Sequence, residues 1–198
     1  MRLATIIAML WALFIVPCFA GELEQGVRLQ DRKEYGKAAA AFQRAAARGN
    51  VEAQRRLGFM YYHGEGVAQD NKRAVALFEK AAAAGDIESA SNLAKMYEFG
   101  MGVEQDIERA AAWYLRAADW GDPASQFSVS VMYYQGQGVA RDRVEAAKWW
   151  NIAIAAGGEQ AERIRSMVES AEAKLAPEEI AEGKRRSAEW LNGHRAVK

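Results

Sequence analysis

The chain has 198 residues, 26 Lys and Arg against 26 Asp and Glu for a formal charge of +0, one Cys, three Pro, 17 Gly and forty Ala. A single cysteine excludes a disulfide-stapled miniprotein, the balance of 51% hydrophobic to 26% charged residues excludes a disordered chain, and neutrality without a long Lys/Arg run argues against a polyanion binder. Alanine at a fifth of the chain, with so little proline, points to helices packed closely through small side chains.

Residues 1–20 read as a secretory signal peptide. Arg2 supplies the basic start, Leu3–Val16 the apolar stretch, and Cys18 and Ala20 the small residues at the third and last positions before a cut. The stretch is short for a membrane span, so cleavage near Ala20 is the expectation and an uncleaved anchor the alternative. Pro17 stands where a lipoprotein signal wants a small residue before its cysteine. Cleavage leaves about 178 residues without a thiol, in the periplasm or outside the cell, held by packing alone.

Residues 21–50 read as a short helical hairpin marked by Gly26, Leu29, Tyr35, Ala38, Phe42 and Ala45. Three segments with a period of 36 follow without gaps: 51–86, 87–122 and 123–158. Leu57, Leu93 and Val129 align, as do Tyr61, Tyr97 and Tyr133. The loops HGEGVAQD, FGMGVEQD and QGQGVARD align next, then Ala74, Ala110 and Ala146, then Phe78, Tyr114 and Trp150, and last Gly85, Gly121 and Gly157. Each unit predicts two antiparallel helices. Asn50, Asp86 and Asp122 cap the first helix, Asp70, Asp106 and Asp142 cap the second, and the Gly-x-Gly pair breaks the chain between them. The first helix of the first unit buries Ala53, Leu57, Met60 and Tyr61; the second buries Ala74, Leu77, Phe78 and Ala81. Small residues Gly58, Ala94 and Ser130 allow close helix approach. After Gly158 the period fades, with Arg165 where the leucine belongs, and residues 159–198 read as two polar capping helices and a tail.

The pattern Ala-x3-Leu-Gly-x2-Tyr-x2-Gly-x-Gly-Val-x2-Asp-x3-Ala, closed by Ala-Ala-x2-Gly, resembles the Sel-one-like repeat, a relative of the tetratricopeptide repeat. The resemblance covers 51–158 in three copies, with residues 21–50 similar to a degenerate tetratricopeptide-like copy that lacks the Gly-x-Gly loop. It implies an all-α fold, a right-handed superhelical α-solenoid of antiparallel helix hairpins.

The inventory for chemistry is thin. His63 lies in the first loop and His194 in the C-terminal tail, neither with a Ser, Cys or metal-ligand partner at motif spacing. The repeated aspartates are explained as caps, and the glycine loops follow helices rather than strands and lack Gly-Lys-Ser/Thr. Some cysteine-rich secreted relatives are credited with β-lactam binding or hydrolysis, but the repeats here hold no cysteine. The expectation is therefore no catalytic residue, cofactor or metal.

A second face of the first helices carries Arg55, Phe59 and Tyr62, then Lys95 and Glu98, then Phe127, Val131 and Tyr134. In tetratricopeptide-like solenoids the equivalent positions line the concave surface where partner segments dock. Phe59, Phe127 and Val131 equally suit packing between repeats, whereas Tyr62 and Tyr134 suit display. Trp113, Trp149 and Trp150 lie on the apolar stripe of second helices and are expected in the core; Trp120 fits either role. The reading is a non-enzymatic adaptor of the bacterial envelope that binds a protein or peptide in a groove. It engages no nucleic acid, and a membrane only through an uncleaved signal. The alternatives are a cell-wall-active or β-lactam-binding enzyme and a scaffold of polysaccharide export or secretion.

Overall fold

The computed structural model describes residues 21–195, so the signal peptide read at 1–20 lies outside the described residues. Helix α1 covers residues 21–31, followed by α2 (Tyr35–Ala47), α3 (Val51–His63), α4 (Asn71–Ala83), α5 (Ile87–Phe99), α6 (Ile107–Asp119), α7 (Pro123–Gln135), α8 (Arg143–Ala155), α9 (Gly158–Glu172) and α10 (Pro177–Arg195). No strand occurs among the described residues, and no helix there is long and apolar enough to cross a membrane. The architecture is a helical-hairpin solenoid, as the repeat pattern predicts. Its contacts divide into two units: one runs to Ser89 and includes Met101–Val103, and the other comprises Ala90–Gly100 and the chain from Glu104 onward.

The capping chemistry repeats faithfully. Asn50, Asp86 and Asp122 accept the N–H of Ala53, Ser89 and Ser125 at 2.8, 2.8 and 2.9 Å, and Pro123 takes the first helical position, where its missing N–H is harmless. Asp70 and Asp106 accept from Arg73 and Arg109, and Asp142 accepts from both Val144 and Glu145. The backbone N–H of the same three aspartates donates to the carbonyls of Tyr61, Tyr97 and Tyr133, which ties each loop back to the helix it leaves. Asp86 serves two helices in one residue. Its N–H reaches the Ala81 carbonyl while that of Gly85, at φ +92°, reaches Ala82, so α4 closes in a Schellman motif whose last residue caps α5. Replacing Asp142 with Ala is expected to lower stability by about 1 kcal/mol, with Asp142→Asn nearly neutral, as read by thermal denaturation.

Packing follows the small-residue rule. Ala74, Ala81, Ala110, Ala117, Ala146 and Ala153 are all buried, and so are Ala53, Leu57, Met60, Tyr61 and Phe78. Leu77, expected in the core, is only half-buried, and Val75 and Ala82 are buried instead, because the stripe of α4 runs through 74, 75, 78, 81 and 82. In the first unit Gly58 lies under the Phe78 ring: a Cβ there would come within 2.7 Å of it. Gly26 bears the same relation to Phe42, so the hairpin of residues 21–50 packs as the full repeats do despite its short turn.

The second glycine of each loop does more than break a helix. A Cβ on Gly66 would collide with the backbone of Tyr35, one on Gly102 would meet the Asn71 carbonyl carbon at 2.5 Å, and one on Gly138 would collide with the Ile107 carbonyl oxygen. Each loop therefore seats directly on the first residue of the preceding repeat's second helix.

In the second unit α9 and α10 pack against α8. Ala161, Ile164 and Val168 form the buried face of α9, and the exposed Arg165 sits one place past the inward position. Helix α10 is anchored by Gly183, too close to Ala147 for a Cβ, and by Arg186, which donates to Glu145 at 2.8 Å. Arg185 and Arg186 also bind Glu182, holding its carboxyl down to about 2. His194, expected in a tail, belongs to α10 and stacks on Trp190 at 3.7 Å.

Candidate partner-binding site

The eight residues read as a display face have distinct surroundings, taken here unit by unit. In the first unit Arg55 is engaged by its own chain. Its guanidinium donates to Glu88 at 2.7 Å and lies 3.7 Å from Asp86, the cap of α5. Phe59 is half-buried, edge-on to Phe78 with ring centres 5.1 Å apart and nearly parallel to His63 at 6.2 Å. The Tyr62 hydroxyl donates to the Met101 sulfur at 3.7 Å, and its carbonyl accepts from the Gln69 amide. Arg55, Phe59 and Glu88 share a recess of about 320 Å³ with Arg56, which is itself paired to Glu52 and Gln30. Charge in this recess is already matched by charge.

The second unit differs. Lys95 is exposed, and Glu98 accepts the Tyr114 hydroxyl at 2.7 Å. Burial, and then the Glu98 carboxylate beside it, push the Tyr114 hydroxyl far above its ordinary pKa. Neither Lys95 nor Glu98 borders the recess that holds the other three positions. Phe127, Val131 and Tyr134, spaced i, i+4 and i+7 on α7, line a cavity of about 200 Å³ that Trp150 floors from α8 and Met167 and Val168 wall from α9. Its lining holds no charged side chain. Tyr134 is held in place, with Trp150 6.3 Å from its ring centre and the Arg141 guanidinium 6.0 Å over the ring. The Ser130 hydroxyl donates to the Phe127 carbonyl at 2.6 Å and so brings no open donor to the cavity.

Met167 is the contributor that sequence reasoning missed. It is 63% exposed at the cavity, on a helix whose repeat register had faded. The signal was present in the spacing of Ile164, Met167, Val168 and Ala171, which gives α9 an apolar stripe independent of the 36-residue period. Trp149 and Trp150 are 2% exposed, in the core as expected. Trp113 is half-buried beneath Arg116, and Trp120 is 41% exposed. Among the described residues no group of His, Cys, Asp or Glu is arranged to hold a metal ion.

The Sel1 repeat family matches residues 51–86, 87–122 and 123–158. The protective antigen c5321, present in uropathogenic Escherichia coli strains and displaying an SLR fold, is similar in structure with a TM-score of 0.73 and 34% identity, over 86% of this chain and 38% of that one. A Sel1 repeat protein from Oxalobacter formigenes is similar with a TM-score of 0.66 and 27% identity, over 70% of this chain and 57% of that one. The chain thus spans less than two thirds of either relative's length. No curated protein is significantly similar to it in sequence. Sel1 repeat proteins generally mediate protein–protein interaction and are typically non-enzymatic scaffolds. With three consecutive matches over more than half its length, falling on hairpins that share one set of caps and one glycine loop, the chain belongs to the Sel1 repeat family.

Proposed function

We propose that the chain is an exported adaptor of the bacterial envelope, and that the cavity of Phe127, Val131 and Tyr134 receives a large apolar side chain from a segment of a partner protein. The observation that carries this reading is the uncharged, aromatic-lined cavity itself, open to solvent beside the exposed Met167. Aromatic side chains whose positions are already fixed lose little entropy on binding and desolvate much area, which is why they dominate interface energetics. Methionine adds a flexible wall that adapts to the entering group. The charge-matched recess around Arg55 offers a partner less, since each ion pair there would have to be broken or desolvated. Export rests on the pattern of residues 1–20.

The test is cross-linking and co-purification from envelope fractions with the native chain, Tyr134→Ala and Tyr62→Ala. The expected result is a partner whose recovery falls by roughly 30-fold, the effect of losing one interface hot spot, in Tyr134→Ala alone. The intact mass of the recovered chain is expected to correspond to a start at Gly21. Equal recovery by both variants removes the cavity from the function, and a retained start at Met1 removes the cleavage.

A further inference from the structure

Five methionines lie among the described residues, and their surroundings set one apart from the rest. Met60 and Met96 are 1% exposed and Met132 6%, so packing closes off their thioethers. Met101 is half-buried, and its sulfur accepts the Tyr62 hydroxyl. Met167 is 63% exposed on α9, in the wall of the cavity that Phe127, Val131 and Tyr134 line. In a chain cleaved near Ala20 no thiol competes with it for an oxidant, since Cys18 is the only cysteine.

A peroxide transfers one oxygen atom to a thioether. The sulfur lone pair attacks a peroxide oxygen and the O–O bond breaks, so that sulfur is oxidised to the sulfoxide while hydrogen peroxide is reduced and leaves as water. The approach needs open space around the sulfur, which Met167 has and the buried methionines lack. We propose that Met167 is a modification site, at which peroxide oxidation closes this cavity to the apolar side chain of a partner; the proposal rests on the docking role proposed above. Oxidation turns a flexible apolar wall into a polar, chiral one. While the cavity is open the new oxygen stays in water, and Ala161, Ile164 and Val168 hold α9 without help from Met167. Once an apolar side chain enters, the oxygen loses water and receives no donor from the incoming group, which weakens binding by about tenfold. A methionine sulfoxide reductase reverses the change, taking two electrons from a dithiol and releasing water.

The test treats the native chain with a small excess of hydrogen peroxide and maps the oxidised methionines by peptide mass. Met167 is expected to gain one oxygen atom at least about tenfold faster than Met60, Met96 and Met132, with the helical circular dichroism unchanged. Docking is read by NMR titration with N-acetylphenylalanine methylamide, an apolar side chain on a peptide unit, through the indole N–H signal of Trp150 in the cavity floor. The oxidised chain is expected to bind this probe about tenfold more weakly than the untreated chain, and sulfoxide reductase to restore the affinity. Met167→Leu is expected to bind the probe equally with and without peroxide treatment. Equal binding before and after oxidation of Met167 overturns the proposal and leaves the docking role standing, whereas no saturable binding by the untreated chain removes both. Oxidation spread evenly over the methionines, or a loss of binding in peroxide-treated Met167→Leu, overturns Met167 as the site.

Discussion

Gly138→Ala is expected to destabilise the protein by about 3 kcal/mol, against about 1 kcal/mol for Gly136→Ala two residues earlier. Both glycines sit in the left-handed region, at φ +68° and +74°, so alanine pays a similar backbone strain of about 1–2 kcal/mol at either site. They differ in what surrounds them. A Cβ at 136 meets only the Arg141 Cβ at 3.2 Å, the side chain of an exposed loop residue that can shift. At 138 it collides with the carbonyl oxygen of Ile107, the first residue of α6, which cannot retreat without disturbing a helix start. Overpacking of this kind adds about 1–3 kcal/mol. Urea unfolding of both variants measures the difference, and equal losses would show that the loop's seat on the preceding repeat is not the constraint.

Phe78→Ala is expected to lower stability by about 3–5 kcal/mol, the range for truncating a fully buried aromatic ring. Phe78 is 1% exposed and is wedged between the bare backbone of Gly58 and the edge of Phe59. Gly58→Ala pushes a methyl group into the same ring, so it also destabilises, by about 1–3 kcal/mol. The pair behaves as one packing unit. Combining Gly58→Ala with Phe78→Leu lets the added methyl occupy space that the ring has vacated, and the double variant is expected to be more stable than the summed single effects by about 1 kcal/mol. Strict additivity in denaturant unfolding would falsify the coupling. The equivalent positions hold Ala94 with Tyr114 and Ser130 with Trp150, all buried, which shows that the motif permits different volumes when both members change together.

Local chemistry explains why so much of the fold is legible in the chain. An Asp three residues before a helical N–H caps it whatever lies elsewhere, and a glycine just past a run of alanines closes a Schellman turn within six residues. The display face was harder to read because its outcome depends on residues far along the chain. Arg55 has the spacing of a displayed side chain, yet Glu88 and Asp86, more than thirty positions later, hold it. Phe127, Val131 and Tyr134 came together as the helical spacing suggested. Their cavity, however, is completed by Met167 from a helix that the repeat period no longer describes. Trp120 had no assignable role from sequence, since its surroundings are the ends of two other helices.

The repeat pattern alone determined the helical hairpins, their caps, the small-residue stripes and the membership of the family, because each of these rests on bonds and contacts within one 36-residue unit. Tertiary structure alone decided which aromatic side chains stay accessible and why the second glycine of each loop tolerates no Cβ. The reason is distance along the chain. A period specifies what a residue does inside its own hairpin, whereas exposure and ion pairing depend on what a different hairpin brings within a few ångströms.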